Sequence, residues 1–271
     1  MASPASTVKL HNRSVAPEPE PTPVAYQAWL PYWAVLEADF LQVVSSWVYR
    51  SWILVAATMA IGLFIYRWGL HNEAKIIQPA SHVITHLLRG ILMGSVALVG
   101  VIAAGAIAGE RGSLADSILS RGISRYQYYL GKWHGRLLAI LLGHVLLGAL
   151  TVGGTRVILH EDVTLEGGVV AIFISGAALA VVVSLGVMMS AMFSRPLAAA
   201  AGLWVLLYAA GLIFGAMPHS IPTPEWILQK LPFILKGEYT REMVVQVVLY
   251  AGGASIGSAI FGMALFARKD L

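Results

Sequence analysis

Six runs of roughly 20 mostly apolar residues dominate this chain, the length a helix needs to cross a bilayer. They are Ser51–Leu70, Leu88–Ala108, Trp133–Val152, Gly168–Met192, Leu197–Met217 and Met243–Phe266. Each is too long and continuous for a barrel strand, which alternates over about ten residues. The first run is the weakest, because Arg67 stands near its end. Its centre, WILVAATMAIGLFIY, carries no charge, and a long Arg side chain snorkels to the interface. Composition sharpens the point. Of 271 residues, 58% are hydrophobic and 12% charged, with a mean hydropathy of +0.73, against about 45–50% apolar and 25% charged in soluble domains. Such a chain has no means of covering itself with a hydrated surface. A soluble enzyme, a nucleic-acid-binding domain and a disordered protein are excluded. What remains is an all-α integral membrane protein. Cysteine is absent, so disulfides, thiolate metal sites and Cys nucleophiles are excluded as well.

Residues 1–28 read as a polar tail, and Ala16–Pro23 (APEPEPTP) as a flexible, partly polyproline linker. The first apolar run begins near residue 47, too late for a secretory signal peptide. Between tail and first span, Trp29, Trp33, Leu36, Phe40, Val44 and Trp47 recur at three- and four-residue steps. That spacing predicts one apolar helix face, with Glu37, Asp39, Gln42 and Ser45 turned away. A Trp-rich face suits the headgroup layer. Residues 29–47 are expected to form an interfacial elbow helix, and residues 48–271 a six-span domain.

Six spans put both termini on one side. A cytoplasmic location for the termini leaves eleven of the 18 Lys and Arg residues inside and seven outside. The bias is sharpest after span two, where Arg111, Arg121, Arg125, Lys132 and Arg136 gather. After span three, Arg156 faces Glu161, Asp162 and Glu166. The positive-inside rule therefore favours cytoplasmic termini.

The spans are poor in ionisable groups. His144 is read as the one lying well inside, and as a packing residue; Arg89 sits at a span edge. Acidic or paired charges at mid-membrane, expected of ion-coupled transporters, are not seen. Gly90/Gly94, Gly105/Gly109 and Gly253/Gly257, with Gly176, Ala180 and Ser184, provide small-residue faces for close helix contact, within the chain or between chains. Five histidines (His71, His82, His86, His160 and His219) fall on the outer side. Of these, His82 and His86 are four apart but lack a third ligand, so no metal site is expected.

The most informative stretch is Gly109–Lys132, GERGSLADSILSRGISRYQYYLGK. Ser113 with Asp116, and Ser124 with Gln127, have capping-box spacing. Gly122 lies between them, where a left-handed residue ends a helix. The stretch predicts a short helix over about 114–120, a tight break, and a second helix from about 125 into span three. Leu114 and Ile118 share one face of the short helix and suit a groove on a soluble partner.

This pattern resembles the permease subunits of ABC-2 type transporters. The matching residues are Glu110, Gly112, Ser113, Leu114, Leu119, Ser120, Ser124, Arg125, Leu130, Gly131 and Lys132. The resemblance extends from about residue 30 to the end. It includes the elbow, the six spans, the short Ser194-Arg195-Pro196 connection, an outer segment before span six and a basic terminus. Arg121-Gly122 stands where the family commonly has Pro, and the step from Glu110 to Gly112 is short. The resemblance implies a cytosolic coupling helix at about 114–120, held by a separate ABC ATPase dimer. Leu114 and Ile118 would be buried there, with Arg111, Arg121 and Arg125 at the rim. It also implies a second six-span chain, identical or homologous, in the plasma membrane. ATP and Mg would belong to the ATPase; this chain has no Gly-x-x-x-x-Gly-Lys-Ser/Thr loop and would hold no cofactor. Glu110, Arg111, Ser113, Leu114, Asp116, Ile118, Arg121, Gly122, Ser124, Arg125 and Lys132 are the coupling candidates. No catalytic residues are expected.

The function implied is ATP-driven export. The alternative is a mechanotransmitting or assembly subunit that passes ATPase motion to a partner without moving a solute. A third reading, an intramembrane serine protease built on His144, lacks a nucleophile motif. The outer segment Pro218–Glu242 is expected to start a short apolar helix at Thr223-Pro224-Glu225 and to dip into the outer leaflet, as a gate or a plug.

Overall fold

The computed structural model describes residues 29–74, 80–110, 122–158, 162–216 and 224–268. Eight helices are found among them. Helix α1 spans Leu30–Ser45, α2 Trp47–Ala74, α3 Ala80–Ile102, α4 Arg125–Ile158, α5 Leu165–Met192, α6 Pro196–Ala216, α7 Pro224–Lys236 and α8 Arg241–Arg268. All except α1 and α7 are long and apolar enough to cross a membrane. The protein is an all-helical, multi-pass membrane protein.

Helix α4 is the spine. Most of its glycines stand where another helix comes close. A Cβ on Gly143 would lie 2.7 Å from the Trp52 ring, and one on Gly154 would lie 2.7 Å from Phe64, so α2 nests along it. Tyr49 Oη donates to Ala139 O at 2.9 Å. A Cβ on Gly148 would meet Ile172 at 2.8 Å, bringing in α5. Helix α8 then packs along α5, joined by Ser184 and Ser255, whose hydroxyls are 2.6 Å apart. Trp133 Nε1 donates to Ser184 Oγ at 2.9 Å, so a polar seam ties three spans where no water is available to satisfy these groups. His144 belongs to the same class of contact. It is fully buried, with Nε2 2.9 Å from Ser175 Oγ. Ser175 spends its own proton on Ala171 O at 2.7 Å, the arrangement of a packing pair rather than an activated nucleophile.

The second span is displaced from its expected position. Leu88–Ala108 was the apolar run, but the helix occupies Ala80–Ile102 and residues 103–109 turn irregularly. The irregular turn exposes backbone N–H groups in the interior. Ser190 on α5 satisfies two of them, accepting from Ile107 N at 2.8 Å and Ala108 N at 2.9 Å. Gly105 and Gly109 therefore shape this turn and are not a helix-packing pair. Gly94 does serve close packing, with Trp52 Nε1 3.1 Å from its Cβ position; among the described residues no other helix comes within 4 Å of the Cβ positions of Gly90, Gly253 or Gly257.

At the opposite end, α7 starts at Pro224 and buries Ile227, Leu231, Ile234 and Leu235 against α3 and α5. It stops at Gly237, whose φ of +88° is the left-handed C-terminal position a glycine favours. Gly237 N donates to Ile234 O and Glu238 N to Phe233 O, both at 2.9 Å, a Schellman ending. Thr164 N then donates to Leu235 O at 3.0 Å, locking α7 onto the start of α5. Asp162 completes this clasp. It accepts from Ser81 N at 3.1 Å and Ser81 Oγ at 2.7 Å, and pairs with Lys236 at 3.4 Å. Burial raises its pKa, but the Ser81 hydrogen bonds and Lys236 outweigh burial and hold it below the ordinary aspartate value.

Candidate functional site

The connection between α3 and α4 is anchored at two roots. On the α4 side, Gly122 has φ +84°. Ser124 Oγ accepts from Gln127 N at 3.2 Å, and Gln127 Oε1 accepts from Ser124 N at 3.1 Å. The reciprocal cap satisfies two backbone donors at once. It starts a helix of 34 residues, about 50 Å long at roughly 1.5 Å per residue. Arg125 Nη1 reaches across to Ala267 O at 3.1 Å, near the end of α8. Of the coupling candidates, Glu110, Gly122, Ser124, Arg125 and Lys132 are described. Arg111, Ser113, Leu114, Asp116, Ile118 and Arg121, with the expected helix over 114–120, lie outside the described residues.

The α3-side root is Glu110. Its Oε1 accepts from Lys132 Nζ at 2.6 Å and its Oε2 from Tyr128 Oη at 2.6 Å. Lys132 Nζ also donates to Asp39 Oδ1 at 3.0 Å. Arg136 grips the same aspartate from the other side, Nε to Oδ2 at 2.8 Å and Nη2 to Oδ1 at 2.9 Å, and donates through Nη1 to Ile102 O at 3.0 Å. Two carboxylates thus meet two cations, and the four charges cancel. That balance matters, because an unpaired charge removed from water costs several kcal/mol. The bidentate Arg136–Asp39 fork is the strongest geometry available to such a pair.

Asp39 adds to the reading of the elbow helix. It was expected to lie away from the Trp-rich face, and Trp29, Trp33 and Trp47 are exposed. The side Asp39 occupies is itself buried, between Val35 and Val43. Outward-facing charge is the rule only for charges without a partner, and Lys132 and Arg136 provide two. Arg136 also corrects the statement that His144 is the one ionisable group well inside a span, since it sits three turns into α4. The signal was present in the sequence: Lys132 and Arg136 are four apart on one face of an apolar helix, a pair that demands an acid. Gly131 and Gly135 are interleaved with them. A Cβ on Gly131 would stand 2.7 Å from Val35 Cγ1, and one on Gly135 would stand 3.0 Å from Asp39 Oδ2 and Leu36 O. Only glycine lets α1 close on α4 tightly enough for the ion pairs to form. Tyr32 Oη, 3.1 Å from His134 Nδ1, fastens the far end of α1.

A family model for ABC-2 family transporter proteins matches residues 70–267. The chain belongs to the ABC-2 transporter family. The matched region runs from the last turns of α2 almost to the end of α8 and takes in Glu110, Lys132 and Arg136. Asp39 precedes it. No match was found among curated proteins. Membership in the ABC-2 family makes this a membrane subunit of a transporter, in agreement with its six long apolar helices.

Proposed function

We propose that this chain is the permease subunit of an ATP-driven ABC-2 exporter, driven through the 109–132 connection by a separate cytosolic ABC ATPase. The observation that carries the reading is the construction of the two roots. Glu110 on one side and the Ser124–Gln127 cap on the other are both fixed to the start of α4. A push delivered to either root is passed to α4. Helix α4 contacts α1, α2, α3, α5 and α8, so its displacement is felt across most of the bundle.

In this reading residues 114–120 form the coupling helix. Leu114 and Ile118 enter a groove on the ATPase, and Arg111, Arg121 and Arg125 line its rim. ATP and Mg bind the ATPase dimer, and this chain contributes no catalytic group and no cofactor. A second six-span chain completes the path. Both termini are cytoplasmic, as the basic residues around the connection favour, and the membrane is the plasma membrane. The exposed tryptophans of α1 lie in the headgroup layer, residues 1–28 form a tail outside the six-span domain, and α7 serves as the outer gate.

The test is co-purification. Leu114→Asp with Ile118→Asp is expected to leave the protein inserted and to abolish capture of the ATPase. Undiminished capture by the double variant would refute the docking.

A further inference from the structure

The four-ion cluster is not symmetrical. Asp39 is gripped from two sides by three hydrogen bonds, and its side chain has 0% exposure. Among the described residues, the Glu110 side chain is held by Lys132 and Tyr128; it is 18% exposed and stands at the α3-side end of the connection. The two carboxylates therefore respond differently to a pull on that connection. Departure of Glu110 leaves Lys132 still paired with Asp39, so both buried cations keep a carboxylate. Departure of Asp39 leaves Arg136, its side chain 8% exposed, with Ile102 O and no carboxylate among the described residues, which is far more costly.

We propose that Asp39 is a positioning residue that makes the elbow helix and the first turns of α4 one rigid body, with Glu110 the releasable end of the latch. Displacement of Glu110 opens its bonds to Lys132 and Tyr128. The Asp39 bonds hold, and α1 travels with α4. The elbow is then a moving part of the machine and carries its exposed Trp29 and Trp33 with it. What displaces Glu110 rests on the coupling reading above; the order in which the bonds give way does not.

The absence of cysteine makes the test clean. Single cysteines are placed in the full-length chain at Val35, buried on the α1 face, and at Ile123, in the α4-side root. Maleimide labelling rates are then compared in lipid nanodiscs. Glu110→Gln is expected to speed labelling at 123 and leave 35 as slow as in the parent. Asp39→Asn is expected to speed both. Combining Asp39→Asn with Arg136→Gln leaves Glu110 and Lys132 as a balanced pair. Thermal stability is expected to recover towards the parent while position 35 stays fast, an outcome that a purely structural role for Asp39 does not give.

Fast labelling at 35 in Glu110→Gln would overturn the proposal. So would a double variant in which position 35 becomes slow again. If Asp39→Asn fails to fold, the Glu110→Gln comparison decides alone. Failure of the wild-type chain to bind an ATPase would remove the coupling reading and leave this labelling comparison intact.

Discussion

Gly131→Ala adds one methyl group at the tightest point between α1 and α4. The new carbon would lie 2.7 Å from Val35 Cγ1, 2.8 Å from Val35 Cβ and 3.2 Å from Leu36 N. Carbon atoms rest about 3.5–4.0 Å apart, so α1 has to withdraw by roughly 1 Å. Valine has little freedom to swing aside, because its branched side chain holds one rotamer in a helix. Overpacking of this kind costs about 1–3 kcal/mol. The same withdrawal stretches the 3.0 Å Lys132–Asp39 contact, and complete loss of one partner from a buried pair costs about 3–5 kcal/mol. Alanine returns about 1 kcal/mol through helix propensity. The net expectation is a loss of about 2–4 kcal/mol. Gly153→Ala, in the same helix, is the control. Nothing lies within 4 Å of its Cβ position, so only the propensity gain of about 1 kcal/mol remains. Thermal unfolding of the full-length chain in one detergent reads both. The two substitutions are expected to shift Tm in opposite directions. A rise in Tm with Gly131→Ala would refute the claim that α1 is held at contact distance by glycine.

Two further outcomes follow from the same geometry. Ser124→Ala removes the acceptor of the Gln127 N–H and is expected to cost about 1 kcal/mol, read as faster hydrogen exchange confined to the first turn of α4. Asp162→Asn is expected to lower Tm by loosening α7 from α3, and the effect has a defined pH dependence. The folded pKa of Asp162 lies below its ordinary 3.8, so its contribution is complete above that value and fades as pH falls through the lower folded one. The Tm gap between parent and variant is therefore expected to stay constant from about pH 7 to about pH 5 and to close only in stronger acid.

The spans were legible because a bilayer requires long uncharged helices, a constraint visible in any window of the sequence. The Ser124–Gln127 cap and the left-handed Gly122 were legible for a different reason: they are local, set by residues within five positions of one another. What escaped was non-local. Asp39 and Arg136 are 97 positions apart, and nothing near Asp39 says that a cation pair will meet it. The hydrophobic periodicity of residues 29–47 gave the tryptophans the headgroup face and left the opposite side, with its aspartate, looking merely polar, whereas that aspartate is buried. Similarly, Gly105 and Gly109 have the spacing of a packing pair, and the turn they occupy depends on Ser190, a residue on another span that supplies its hydroxyl to two stray N–H groups. In both cases polar atoms found distant partners.

The account depends on the segment after span two lying on the ATPase side of the membrane. A single cysteine replacing Arg121, probed with a membrane-impermeant maleimide, measures this directly. The expected result is no labelling in intact cells and full labelling once the membrane is opened. Labelling in intact cells would put the segment outside, beyond the reach of any cytosolic ATPase, and would contradict the account.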